Sequence, residues 1–282
     1  MKRAFKAIGI IVIVVLLIGG CSYGVYKYKV SQSGSLNVLI IGIDSREGLD
    51  GARSDSLMVA HIDQDHKEIK LISIPRDAYV HIPSVDRNDK ITHAYAYAKK
   101  EGTIETMEYL FETDFEYYIE VDFEKMIALV DSIGGIDLTP TATFCEMDEK
   151  DNAQSYCFEE GQSVHMNGAM ALSYSRHRKS DSDLYRAARQ QEVIKAMVSK
   201  VKSSGVFDIY NFYKDVKEIS DTNLDLWELI GYADMAFNDF RLEQEVAEGQ
   251  GMMMWDEYYG QDLYFFILDE TWAQEKIEYF QR

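Results

Sequence analysis

Three short apolar runs stand close together early in the chain, and they commit it to a β-sheet before any helix begins. Leu36 to Ile43 (LNVLIIGI) has the β-branched content of a buried strand and ends at the turn Asp44-Ser45-Arg46. Ser56 to Asp63 (SLMVAHID) and Glu68 to Ile74 (EIKLISI) read as two more strands joined by a hairpin-like turn, and Pro75-Arg76-Asp77 stops the second. Helical spacing then takes over. A helix is predicted from Thr92, and a second from Thr103, its expected N-cap, toward Phe111. Tyr117 to Val121 reads as a strand, and Phe123 to Ile133 as a helix ended by Gly134-Gly135. A strand begins at Ile136, Ala169 to Tyr174 fits a helix end or a short strand, and Tyr185 to Lys202 is a long amphipathic helix. Beyond Gly205, helices over Asp208–Ile219 and Leu224–Phe240 and a strand over Leu263–Leu268 are expected, with Met252 to Trp255 in the core. Strands interleaved with helices, with one early hairpin, give an α/β fold: a mixed central β-sheet flanked by α-helices.

Residues 7–26 are uncharged, rich in Ile, Val and Leu from Ile8 to Ile18, and flanked by Lys2, Arg3 and Lys6 before and Lys27 and Lys29 after. A helix of about 20 residues spans a bilayer core, so this run is expected to be a single transmembrane anchor behind a short cytoplasmic tail, residues 1–6. The alternative is a lipoprotein signal cleaved before Cys21, because Ile18-Gly19-Gly20-Cys21 resembles a lipoprotein box. Either way residues 27–36 read as a linker and 37–282 as one extracytoplasmic domain. Cys145 and Cys157 lack metal-ligand spacing. Outside the cytoplasm, a disulfide closing that polar stretch is the favoured reading, worth about 2–3 kcal/mol.

The net charge of -19 argues against nucleic-acid binding, which needs a basic face. In so acidic a chain a local arginine cluster stands out. Arg176, Arg178, Arg186 and Arg189 are four of the eleven arginines. In an extended segment Arg176 and Arg178 share a face, and on a helix so do Arg186 and Arg189. Guanidinium forks match phosphate oxygens, and a helix N-terminus adds anion attraction. Asp44 and Asp55, at neighbouring strand ends, are candidate carboxylates for a magnesium ion held against a diphosphate, although turn capping alone also accounts for them. Arg76 ends a third strand, and Lys90 follows in Asp89-Lys90-Ile91-Thr92-His93.

In order, LIIGIDSR, GARSDSLMV, LISIPRDAYV, DKITHAYAYA, FEYYIEVDFEKMIALVDSIGGIDL and ALSYSRHRKSDSDLYRAARQQEVI resemble the LytR–CpsA–Psr family of bacterial cell-envelope proteins, from Asn37 to Lys202. DTNLDLWELI resembles the family's C-terminal part, so 37–202 is a motif core and 203–282 its completion. The resemblance implies a magnesium-dependent (or manganese-dependent) phosphotransferase. Such enzymes move a glycopolymer (teichoic acid, capsule or secondary wall polysaccharide) from undecaprenyl diphosphate to a peptidoglycan sugar hydroxyl. Carried over by residue, Asp44 and Asp55 match the metal positions. Arg46, Arg53, Arg76, Lys90, Arg176, Arg178, Arg186, Arg189 and Gln190 match those holding the diphosphate. Asp77, Asp183 and Arg178 are the catalytic candidates, with either carboxylate as the proton acceptor. Tyr185 departs from the family's smaller residue at that place, which removes no charged group. Two other readings stay open: a non-enzymatic envelope regulator that binds polyprenyl diphosphate, and a pyrophosphatase acting on the lipid carrier.

Overall fold

The computed structural model describes residues 34–44, 52–148, 155–177, 183–226, 229, 232, 235 and 239–281. The three early strands form as β1 (Ser35–Asp44), β2 (Arg53–Asp63) and β3 (Glu68–Ile74), an antiparallel meander in which Leu39 faces Val59 and Val59 faces Ile72. A small ribbon follows, β4 (Tyr79–Ile82) with β5 (Arg87–Lys90), and leads into α1 (Thr92–Phe111). Next come β6 (Tyr117–Val121), α2 (Phe123–Ser132) and β7 (Ile136–Leu138). Gly134 and Gly135 end α2 at φ of 75° and 81°, a backbone region open to glycine. Then β8 (Phe144–Glu146), β9 (Tyr156–Phe158) and β10 (Val164–Met166) precede α3 (Gly168–Arg176), α4 (Asp183–Ser204), α5 (Val206–Ile219) and β11 (Asp221–Thr222). The chain finishes with β12 (Arg241–Val246), β13 (Gly249–Asp256), β14 (Gln261–Leu268) and α6 (Glu270–Phe280).

The central sheet runs β11-β6-β1-β2-β3-β12, with β6 parallel to β1 and β12 parallel to β3. It is the mixed, helix-flanked sheet that the strand and helix pattern implies. Alternation along β1 sends Leu39, Ile41 and Ile43 to one face, where α1 and α6 cover them with Met107, Phe111, Trp272 and Phe280. Val38 and Leu71 face the other way, toward Ile194 of α4. Burying each such aliphatic side chain stabilises the fold by about 1.5–3 kcal/mol relative to leaving it in water. A separate cluster, built on Leu129, Phe144, Phe158, Tyr174 and Met197, joins α2, α3 and α4 to the β8–β9 ribbon. Cys145 and Cys157 face each other across that ribbon and are disulfide-bonded.

Several expectations need correcting. α1 is two helical segments separated by a kink at Ala98 and Lys99, whose φ/ψ are not helical, so the two expected helices are present but the second starts before Thr103. Thr103 therefore caps nothing; it is buried and its hydroxyl donates back to the Lys99 carbonyl. Arg176 is the last residue of a helix and not part of an extended segment, because Asn167 caps α3 at Met170 N and the helix runs on through Ser175. Met252, Met253 and Trp255 are exposed on a two-stranded ribbon, not buried in the core. Much of the helix expected over 224–240 falls on residues outside the described set, as do the anchor, tail and most of the linker at 1–33. Among the described residues no helix is long and apolar enough to cross a membrane.

Candidate functional site

Strands β1, β3, β6 and β12 point the same way, so their carboxyl ends meet the start of β2 at one end of the sheet. Asp44 closes β1 there, paired with the exposed Arg53. One step inward the register shifts: Gly42 faces Ser56 while Ile43 faces Ser54, so Asp55 is the extra residue of a β-bulge. A bulge re-aims a side chain, and Asp55 meets the segment after β3, where Arg76 Nη1 donates to its Oδ1 at 2.9 Å. From above, Arg186 Nη2 reaches the Asp55 carbonyl at 3.3 Å. Gly42 makes room for this arrangement, since a Cβ there would stand 2.9 Å from Ser56 Cβ. Ser56 in turn donates to Gln190 Oε1 at 2.9 Å, joining the bulged strand to α4.

Asp77 lies beside this cluster, 8% exposed. Lys90 Nζ donates to its Oδ1 at 2.7 Å, and Arg76 Nε stands 3.7 Å from its Oδ2. Backbone bonds fix the same segment: Thr92 N donates to the Arg76 carbonyl at 3.1 Å, and the Thr92 hydroxyl to the Ser54 carbonyl at 2.8 Å. Asp89 anchors the approach to Lys90. It is 1% exposed and accepts from His93 Nδ1 at 2.9 Å, Tyr97 OH at 2.6 Å and the Lys90 amide at 2.7 Å. Burial works to raise the Asp89 carboxyl, but the bonds from His93, Tyr97 and the Lys90 backbone prevail and hold it at about 2. Burial and the same carboxylate push the Tyr97 phenol up.

Arg186 and Arg189 lie one turn apart on α4 and both are buried, at 7% and 2% exposure. Arg189 donates to the His177 carbonyl, and its guanidinium lies 5.3 Å from the Phe144 ring centre. His177 stacks on Phe144 and bonds Glu146 Oε2 at 2.8 Å. Arg189 thereby ties α4 to the end of α3 and to the disulfide-bearing ribbon. Arg176 packs over Phe123 at 4.8 Å, and Asp183 is the first residue of α4. Arg46 and Arg178 lie outside the described residues.

A magnesium ion takes hard oxygen donors, commonly one or two carboxylates with water and substrate phosphate completing the shell. Asp44 and Asp55 fit that donor set: both are partly exposed, on adjacent strands at the sheet end, and Arg76 engages one oxygen of Asp55. No group of three or more acidic, histidine or cysteine side chains that could hold a metal occurs among the described residues.

Known proteins share this framework. The family model described as LytR_cpsA_psr matches residues 23–277, nearly the whole chain. The chain belongs to the LytR_cpsA_psr family. The polyisoprenyl-teichoic acid–peptidoglycan teichoic acid transferase TagU of Bacillus mycoides is 36% identical over 197 residues, 69% of this chain and 61% of that protein. TagU of Halalkalibacterium halodurans is 31% identical over 295 residues, covering 92% and 93% of the two chains. The crystal structure of Bacillus subtilis TagV superposes with a TM-score of 0.76 at 26% identity, over 89% of this chain and 97% of that one.

In this LytR_cpsA_psr protein the sheet end thus gathers Asp44, Arg53, Asp55, Arg76, Asp77, Lys90, Arg186 and Gln190, all singled out from sequence. Four supporting residues were not: Ser56, Asp89, His93 and Gln191. Gln191 Nε2 is buried and lies within 2.6–3.0 Å of the Leu71 carbonyl, Ser73 Oγ and the Glu245 carbonyl, fixing α4 across β3 and β12. Part of the Asp89 group was readable, since His93 and Tyr97 lie four apart on α1 and share a face, whereas Asp89 reaches them from the end of β5.

Proposed function

We propose that this protein transfers a glycopolymer from a polyprenyl diphosphate carrier to a peptidoglycan sugar hydroxyl, forming a phosphodiester. The observation that carries this reading is the meeting of Asp55, Arg76 and Arg186 at the sheet end, with the Asp77–Lys90 pair beside them. Phosphoryl transfer asks for positioning and charge neutralisation more than covalent chemistry by the protein. Arg53, Arg76, Lys90, Arg186 and Gln190 hold and orient the diphosphate, and the family resemblance adds Arg46, Arg176, Arg178 and Arg189 to that set. Asp77 keeps Lys90 and Arg76 aimed at it. Asp44 and Asp55 would hold magnesium, which when bound supplies charge neutralisation on the phosphate oxygens.

The incoming hydroxyl oxygen bonds to the polymer-bearing phosphorus as the bridging P–O bond to the lipid phosphate breaks. Polyprenyl phosphate departs, and the hydroxyl proton passes to a carboxylate. The two carboxylates for that role are Asp77 and Asp183, the latter the first residue of the helix carrying Arg186. The apolar run at 7–26 would hold the domain at the outer face of a bacterial membrane, where such a carrier resides.

The test mixes the full chain with a polyprenyl diphosphate-linked saccharide, a peptidoglycan oligomer and magnesium, and follows polyprenyl phosphate release and labelling of the oligomer. Labelling that needs magnesium and disappears in Asp44→Ala is expected. Lipid release without labelling identifies a pyrophosphatase, and tight binding without either identifies a carrier-binding regulator.

A further inference from the structure

The β13–β14 ribbon is bolted to the site and exposes an aromatic face that the transfer chemistry leaves unused. At its base, Phe266 N donates to the Asp77 carbonyl at 2.8 Å. At its tip, Tyr258 lies under the Arg87 guanidinium, 3.7 Å from carbon to ring centre. Residues directly opposed in an antiparallel pair share a face. Phe265 turns inward against Tyr79, at 4.9 Å between ring centres. The other face therefore carries Phe266 opposite Gly251, Tyr264 opposite Met253 and Asp262 opposite Trp255. Tyr264 is 46% exposed, Met253 62% and Trp255 63%.

The glycines shape this face. A Cβ on Gly251 would stand 2.7 Å from the Tyr264 ring and 2.2 Å from its hydroxyl, and one on Gly249 would stand 2.7 Å from the Phe266 ring. Both rings consequently lie across the neighbouring strand, and Tyr264 offers its outer surface to solvent. A cleft of about 430 Å³ opens at the ribbon's root, lined by Leu184, Glu248, Gln250, Phe266 and Asp269 among others. Leu184 follows Asp183, so the cleft adjoins the start of α4.

Charge narrows the occupant. No lysine or arginine occurs between Arg241 and Lys276, whereas Glu248, Asp256, Glu257, Asp262 and Asp269 all fall there. Arg87 at the tip and Lys90 against Phe265 are the cations packed on the ribbon, and the acidic groups along it and at its root disfavour a phosphate-rich polymer and an anionic membrane. Membrane-surface elements carry the opposite sign on their polar face. Exposed aromatic rings beside carboxylate and amide acceptors suit a neutral sugar chain, whose C–H face stacks on the ring while its hydroxyls donate.

We propose that this face and the cleft at its root bind the neutral glycan of the acceptor and lead its hydroxyl to the phosphate held by Arg76 and Arg186, an inference that rests on the transferase reading above. The experiment titrates the full chain with a β-1,4-linked N-acetylglucosamine hexasaccharide by calorimetry, with no donor present. Inorganic pyrophosphate is titrated in parallel. Trp255→Ala and Tyr264→Ala are each expected to weaken the oligosaccharide by about tenfold. Gly251→Ala, which keeps every aromatic but displaces the Tyr264 ring, is expected to do the same, and pyrophosphate affinity stays unchanged in all three. Absence of oligosaccharide binding to the wild type, or equal affinity in the variants, overturns the proposal. So does binding of phosphatidylglycerol vesicles that depends on Trp255, which would make the face a lipid surface. Because no donor is used, glycan binding is read separately from transfer: a bound glycan together with no transfer in the assay above would refute the transferase reading and the acceptor role with it, whereas transfer without glycan binding at this face would refute this proposal alone.

Discussion

Arg76 Nη1 bonds Asp55 Oδ1 at 2.9 Å, linking the end of β3 to a bulge in β2. The contact sets where a cation and a carboxylate stand relative to each other at the mouth of the site, with side chains about a quarter exposed. Its value is geometric, since exposed ion pairs stabilise little. Arg76→Ala is expected to lower transfer by about 100-fold, the usual effect of removing one preorganised donor to a developing charge. The melting temperature should stay nearly unchanged. Rates of polyprenyl phosphate release and thermal unfolding check both halves, and an active Arg76→Ala protein would remove Arg76 from the diphosphate site.

Gly42 provides a second test. A Cβ at this position would lie 2.9 Å from Ser56 Cβ, and Ser56 holds Gln190. Gly42→Ala should therefore force β1 and β2 apart beside the bulge, destabilising the fold by about 1–3 kcal/mol. It should also weaken pyrophosphate binding, because Asp55 and Gln190 move together. Denaturant unfolding and calorimetry read the two effects separately.

These two sites show what was legible and what was not. The strands that end at Asp44 and just before Arg76 stood out because buried strands are dense in Val, Ile and Leu, and the arginines stood out against an acidic background. The bulge that presents Asp55 did not, because it depends on a register shift between two strands. Strand β12 was missed because RLEQEV alternates charges; its Arg241 and Glu245 are satisfied by Glu68, Lys70 and Lys276 at a sheet edge, where charge guards against mispairing. Helix α6 had a readable signal, Asp269 capping Trp272 N and then Trp272, Lys276 and Phe280 at intervals of four. Met252 to Trp255 misled because an apolar run usually means core, whereas here it lies on an exposed ribbon.

The Cys145–Cys157 bond closes the β8–β9 ribbon, whose Phe144 packs on His177 and beneath Arg189. Replacing both cysteines with serine should cost about 2–3 kcal/mol of stability, from loop entropy restored to the unfolded chain. Reduction of the wild type should lower the melting temperature by the same amount as the double substitution. Transfer at low temperature should persist, because neither sulfur meets a reacting group.

Acid should act through Asp89. Its folded pKa is lowered from 3.8 to about 2 because bonds from His93, Tyr97 and the Lys90 amide outweigh its burial. A lowered carboxyl contributes stability above its unfolded value and loses it as pH falls through the folded one, so the loss falls between about pH 4 and pH 2. The shift corresponds to roughly 2 kcal/mol. Asp89→Asn keeps the size of the side chain but removes the charge, and should lower stability at neutral pH and flatten the dependence across that window. Because Asp89 also holds the Lys90 backbone, the variant should weaken pyrophosphate binding at pH 7 as well. Unfolding curves from pH 7 to pH 2 on both proteins measure the first effect. An unchanged slope in the variant would mean that another carboxylate carries the acid sensitivity.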